Sequence, residues 1–269
     1  MTTEVTTTAT TTAATTTAAT TTAAMTTAVP VPWAARPVVG FDTETTGVDV
    51  DTDRIVTAAV VRREGGTTTV RTWLLDPGVP IPEAATAIHG ITTQRARAAG
   101  RPAAPALDEI ATALADALAH GEPVVAYNAS FDLSLLDVEL RRHGLPTLAA
   151  RLGRPVRAVL DPLVLDRHLD AAREGARRLG DLCGHYGVRT HADLHAADVD
   201  VLATLDVLDA IARAYPVLGA MTHDALHDLQ ADAYARWVAE VVTARAEAGR
   251  EGPGPEPAWP ARGDASVAA

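Results

Sequence analysis

Val38-Val39-Gly40-Phe41 is an apolar run that ends abruptly in Asp42-Thr43-Glu44. An uninterrupted apolar strand is buried on both faces, so it belongs inside a sheet covered by helices on either side. Polar groups at its C-terminal end then emerge where open α/β sheets place their ligands. Side chains alternate along a strand, which puts Asp42 and Glu44 on the same face. Two like charges side by side in a half-buried setting repel and lose hydration, and they call for a cation or a shared proton. Such hard oxygen donors suit Mg2+ or Mn2+. The plainer reading is a solvated strand end with a turn, since Asp, Thr and Gly all suit turns. This segment alone does not separate the two.

The elements that follow set the fold class. Residues 54–63 and 67–75 are β-rich and flank Glu64-Gly65-Gly66, the signature of an antiparallel hairpin. Residues 77–90 read as a loop. Leu107, Ile110, Leu114 and Leu118 recur at helical spacing, and a short strand is expected at 124–127. Asn128-Ala129-Ser130 is turn and cap chemistry, opening a helix marked by Leu133, Leu136 and Leu140 with Asp132 in its first turn. Residues 157–160 supply a fifth strand, while 163–168, 179–186, 201–215 and about 222–245 read as helices. A hairpin meander followed by strands alternating with helices predicts an α/β fold, a mixed five-stranded sheet flanked by helices.

Composition limits what such a fold does. The 269 residues carry a net charge of -11, and every Lys+Arg position is arginine. A broad basic face that tracks a nucleic-acid backbone is therefore not expected. An acidic protein still acts on a polyanion when metal ions supply positive charge at the reacting phosphate. Cys183 is the only cysteine, which excludes an intrachain disulfide and a cysteine-based zinc cage and fits a reducing cytoplasm. No apolar run approaches membrane-spanning length. Residues 1–36 form a Thr/Ala-rich tail without the basic and leucine-rich parts of a signal peptide, and 246–269 are rich in Gly, Pro and charge. Both read as disordered, leaving one domain over 37–245 that ends in a tail helix at about 222–245.

Tyr127-Asn128-Ala129-Ser130-Phe131-Asp132 brings a second carboxylate to a strand's C-terminal end. Taken alone, Asp132 reads as an acid favoured at a helix N-terminus; with Asp42 and Glu44, two strand ends present carboxylates to one sheet edge. A third acid and a proton acceptor come from His-x-Ala-x-x-Asp, which occurs twice, at His195 to Asp200 and at His223 to Asp228. His191 reads as a solvated loop histidine, and Asp161, Asp166 and Asp170 as solvated charges at helix starts and faces.

In chain order, Phe-Asp-Thr-Glu-Thr-Thr-Gly at 41–47, Ile-His-Gly-Ile-Thr at 88–92 and Asn-Ala-Ser-Phe-Asp at 128–132 resemble the first motif, intervening loop and second motif of the DEDDh exonucleases. That ribonuclease H-like family includes the proofreading epsilon subunit of bacterial DNA polymerase III, and the likeness covers about residues 37–215. It implies a 3'→5' exonuclease that releases 5'-mononucleotides from a nucleic acid with a free 3' end, DNA being favoured. Asp42, Glu44, Asp132 and Asp200 would hold two Mg2+ or Mn2+ ions, and His195 would serve as general base, a task suited to an imidazole near neutral pH. Thr43, Thr45, His89 and Asn128 would border the substrate.

The resemblance also selects His195 and Asp200 over His223 and Asp228. The earlier copy closely follows 182–188, a segment similar to the one preceding the third motif in relatives. The later copy lies beyond Tyr215-Pro216 in a tail helix with Leu226, Leu229, Trp237 and Val241 as its packing face. Tyr127 stands where relatives often have histidine. Neither tail contains a clamp-binding peptide, which points to a stand-alone repair or turnover enzyme and leaves polymerase association open. Two other readings compete. An aspartyl-phosphate phosphatase would want a second Asp in place of Glu44 and a lysine this chain lacks, and a non-catalytic nucleic-acid or protein-binding module would not need every catalytic position filled.

Overall fold

The computed structural model describes residues 36–189, 194–251 and 254–262. His191, all of the Thr/Ala-rich tail except Arg36, and residues 263–269 lie outside the described residues.

The apolar run becomes β1 (Val38–Thr45), which is central as its sequence requires. It runs antiparallel to β2 (Ile55–Glu64) on one side and parallel to β5 (Val124–Val125) on the other. β2 turns back into β3 (Thr67–Asp76) through Gly65 and Gly66, with φ of 54° and 85°. A two-residue hairpin turn of this kind needs positive φ at both positions, which glycine adopts without penalty. β6 (Val159–Leu160) extends the sheet parallel to β5, and β4 (Arg101–Pro102) lies parallel to β3. The order is β4-β3-β2-β1-β5-β6, six strands where the sequence predicts five. The extra strand is two residues long, too short to leave a periodic signal.

Helices cover both faces. α1 (Glu83–His89) and α2 (Thr93–Ala99) lead to β4, followed by α3 (Ala103–Ala119). α4 (Ala129–Arg142) and α5 (Leu148–Leu152) connect β5 to β6. After β6 come α6 (Pro162–Leu169), α7 (Leu179–Tyr186), α8 (Ala197–Ala214) and α9 (His223–Glu247). The segment expected as loop at 77–90 thus contains α1. That helix buries one side chain, Ala85, so it shows no hydrophobic stripe, and its end is marked by Gly90 at φ 73°. No helix among the described residues is long and apolar enough to cross a membrane.

Alternation along β1 divides the core. Val39 and Phe41 pack with Leu107, Leu114 and Leu136 of α3 and α4, whereas Val38 packs with Val201, Leu205 and Leu208 of α8. On α8, Val201 is fully buried and Leu202 packs partly buried at the edge of the same core. Gly40 shares the α8 face. A Cβ there would lie 2.3 Å from Val201 Cγ1 and 3.3 Å from Leu205, so the missing side chain is what lets α8 sit against the strand.

The C-terminal boundary also differs from the sequence reading. Residues 254–262 lie on the domain although their composition predicts disorder: Trp259 packs beside Val164 and stacks near His227, with ring centroids 4.9 Å apart. Tyr234 donates to the Glu256 carbonyl at 2.7 Å, and Arg262 N–H donates to Ser134 Oγ at 3.0 Å. One partly buried aromatic and these hydrogen bonds anchor the Gly- and Pro-rich stretch.

Gly40→Ala is expected to destabilise the protein by about 1–3 kcal/mol, because neither the strand nor buried Val201 has room to yield. Urea unfolding checks this; an unchanged midpoint would mean that α8 stands off β1 more freely than its packing indicates.

Candidate active site

The two faces of β1 deliver different carboxylates. Asp42 and Glu44 continue the α8 face of Val38 and Gly40, and α8 answers with Asp200 in its first turn. Oxygens of Asp42, Glu44 and Asp200 all lie within 4.8 Å of one another. Thr43 points the other way, toward α4. Its backbone N–H and its hydroxyl both donate to Asp132 Oδ1, at 3.1 and 2.6 Å. Asp132 is therefore held beside the trio, outside the tight set, by the residue between Asp42 and Glu44.

None of these four acids forms an ion pair among the described residues. Burial raises the pKa of Asp42 well above the usual carboxylate range, and Asp132, Asp200 and Glu44 add repulsion. Burial, then Asp200 and Asp132, push Glu44 up to about 7. Asp132 is likewise raised to about 7 by burial, although the Thr43 hydrogen bonds pull against it. Asp200 is raised by burial and partly relieved by the His195 N–H, which donates to its Oδ1 at 3.1 Å.

A second group of possible metal ligands, Asp166, Asp170 and His185, shows the contrast. There Arg173 and Arg177 both donate to Asp166 Oδ2, so protein cations already balance the charge. In the β1 cluster the donors are hard oxygens, mutually repelling and unneutralised, which is the environment a divalent cation fits.

His195 precedes α8 at φ 88°, a conformation uncommon for a residue with a side chain, and its ring is exposed. It lines a cavity of about 250 Å3 together with Glu44 and His89. His89 Nδ1 accepts from the Ile91 N–H at 3.1 Å, while its Nε2 is buried without a partner. Thr45 spends its hydroxyl on the Gly47 carbonyl at 2.5 Å, and the Thr43 hydroxyl is committed to Asp132.

Asn128 adopts the left-handed conformation, φ 60° and ψ 46°, in the turn that launches α4. That turn rests on Asp161, whose carboxylate accepts from the N–H groups of Asn128 at 3.1 Å, Ala129 at 2.9 Å and Leu163 at 2.9 Å. Asp161 and Asp166 are buried, not solvated as their spacing had suggested. The role of Asp161 had a sequence signal, since Asp followed by proline is an N-cap with Pro at the first helical position. Tyr127 donates to the Arg177 carbonyl at 2.6 Å.

The second His-x-Ala-x-x-Asp copy lies elsewhere. Asp224 and Asp228 face Arg157, and His227 is buried against Trp259, accepting from the Val159 N–H at 3.4 Å. Of the two copies, the structure brings Asp200 to Asp42 and Glu44.

Residues 39–208 match the family model RNase T, described as exonuclease. The chain belongs to that exonuclease family. Among curated family relatives, the DNA polymerase III subunit epsilon-like protein of Rhodobacter capsulatus is 36% identical over 187 residues, covering 68% of this chain and 24% of that protein. The PolC-type DNA polymerase III of Streptococcus thermophilus is 32% identical over 169 residues, 62% of this chain and 10% of that one. The chain thus spans a quarter or less of these relatives. Among solved structures, exonuclease I from Methylocaldum szegediense aligns with a TM-score of 0.57 at 26% identity over 68% of this chain and 42% of its own. Escherichia coli exonuclease I in complex with a dA16 oligonucleotide aligns at 0.58 and 23% over the same shares, a likeness of fold.

Carboxyl groups with raised pKa in the folded state favour the protonated form. Their contribution to stability is full below the ordinary range near about 4 and is lost as pH rises through about 7. The chelated protein should therefore lose Tm from pH 5 to pH 8, and Mn2+ should restore more at pH 8 than at pH 5. Asp42→Asn should raise the chelated Tm at pH 8, by about 2–4 °C for each kcal/mol of repulsion removed, and should abolish the Mn2+ effect. Differential scanning calorimetry reads all three, and a chelated Tm that climbs over this range would refute the repulsion.

Proposed function

We propose that this chain is a metal-dependent 3'→5' exonuclease that releases 5'-mononucleotides from single-stranded ends, with DNA as its preferred substrate. The observation that carries the reading is the convergence of Asp42, Glu44 and Asp200 within 4.8 Å, with none of them in an ion pair among the described residues, in a chain of the exonuclease family. Asp42, Glu44 and Asp200, with Asp132 alongside, would hold two Mg2+ or Mn2+ ions. When bound, such ions polarise the phosphate and ease deprotonation of water.

The remaining work falls to the protein. Asp132 is kept ionisable and in place by Thr43, and Asp161 fixes the turn that aims it. His195 stands at the rim of the cavity it shares with Glu44, where it accepts the proton of the attacking water, and its exposure lets it pass that proton to solvent. His89, on the same cavity, borders the terminal nucleotide. The family relatives are a polymerase subunit-like protein and a polymerase, so association with a replicative polymerase is a second setting for the same chemistry; the comparisons lend no support to a phosphatase or to a binding module.

The test is mononucleotide release from a single-stranded oligonucleotide labelled at one end or the other, with matched DNA and RNA sequences. Release of the 3' label as mononucleotide in Mn2+ and its loss in chelator are expected; an intact strand under every metal would sink the reading. Asp42→Ala and Asp200→Ala should abolish turnover. His195→Ala should lower kcat by about 10²–10⁴ while Mn2+ binding persists, whereas His223→Ala should leave kcat unchanged. Reversal of the two histidine results would transfer the third motif to the later copy.

A further inference from the structure

A further cavity lies away from the carboxylates. It lies between α6 and α9, has a volume of about 530 Å3, and is lined by Arg167, His168, Arg173, Arg177, Arg236 and Trp237. Four arginines gather here in a chain whose net charge is -11, and the only carboxylate in the lining is Glu240. Buried Asp166 takes up part of the charge of Arg173 and Arg177 from beneath. Arg167 and Arg236 form no ion pair among the described residues. The Arg167 guanidinium stacks over the Trp237 ring at 3.8 Å, with its Nη1 buried and without a hydrogen-bond partner, whereas Arg173 Nε faces the Asp170 carboxylate at 3.4 Å. Burial depresses the Arg167 pKa, so a neighbouring anion would stabilise its charged form. The unsatisfied Arg167 donor and the unpaired Arg236, facing one cavity of this size, match the oxygens of a phosphate, with a tryptophan at hand for a base.

The pocket adjoins the proposed active site through the fold. α6 leaves the C-terminal end of β6 as α4 leaves that of β5, and these strands are parallel. Tyr234, also in the pocket wall, meets Ser130 Oγ at 3.1 Å, two residues before Asp132. We propose that the α6–α9 pocket binds phosphate groups of a nucleotide chain, giving the single strand a second hold away from the carboxylates. The assignment of a nucleic acid as the source of those phosphates rests on the exonuclease reading; the phosphate chemistry rests on the arginines.

The test uses the full chain in chelator, so that binding is read without cleavage. Fluorescence anisotropy of a labelled single-stranded DNA of about a dozen nucleotides should show Arg236→Glu weakening affinity on the order of tenfold, as loss of a charge-assisted contact does. The slope of log affinity against log salt should fall by about 0.7. Arg236→Lys should keep most of the affinity, and Arg141→Glu, the same charge change at an exposed position near the end of α4, should have little effect. Arg236 is exposed, so folding is not at risk, and unchanged Tm verifies this. Calorimetric titration with thymidine 5'-monophosphate separates the sources: Arg236-dependent binding of the oligonucleotide alone identifies the strand backbone, and equal dependence for the monophosphate identifies a free nucleotide. Equal affinities for wild type and Arg236→Glu with both ligands would overturn the site, as would an equal loss in Arg141→Glu. Arg236-dependent binding by a wild-type protein that cleaves nothing would retain the pocket and defeat the exonuclease reading instead.

Discussion

Mutual repulsion among Asp42, Glu44, Asp132 and Asp200 is the constraint on which the rest of the arrangement depends. Left to relax, acids this close would turn toward water, so each is fixed by something that does not yield. Asp42 and Glu44 are fixed by belonging to the central strand. Asp132 is fixed by two donors from Thr43. Asp200 is fixed by the seating of α8 against Gly40, where no side chain intervenes. Stability is given up locally to hold a mutually repelling anionic cluster in place, a form of preorganisation.

A second tier of buried acids serves the first by the opposite means. Asp161 satisfies three backbone N–H groups and thereby defines the turn at Asn128. Asp166 is neutralised by Arg173 and Arg177 and receives a hydrogen bond from Tyr186 at 2.9 Å. Both are more fully buried than Asp42, Glu44 and Asp200, and their lone pairs are occupied, so they act as struts. Hydrogen-bond saturation together with full burial sets Asp161 and Asp166 apart from Asp42, Glu44 and Asp200.

Much of this was legible in the sequence. The apolar run ending in Asp-Thr-Glu gave away a central strand and a same-face pair, and Gly65-Gly66 gave away the hairpin, because both signals are local. The grouping of Asp200 with Asp42 and Glu44 was expected from the family resemblance, through the segment 182–188 that precedes it. The buried state of Asp166 was not, since its partners Arg173 and Arg177 come from a loop with no periodicity. α1 escaped notice because one buried alanine makes no stripe, and the packing of residues 254–262 escaped because a single Trp259 sits among residues that favour disorder. The arginine pocket is assembled from α6, the loop after it and α9, a juxtaposition only the tertiary structure reveals.

Chain order adds a temporal aspect to the placement of Arg236. All four clustered acids lie between β1 and the first turn of α8, whereas α9, which forms one wall of the basic pocket, follows them. A chain emerging from the ribosome therefore completes its acidic centre before its cationic one. The residues of the acidic cluster are thus all present in the nascent chain while the arginine pocket is still one wall short.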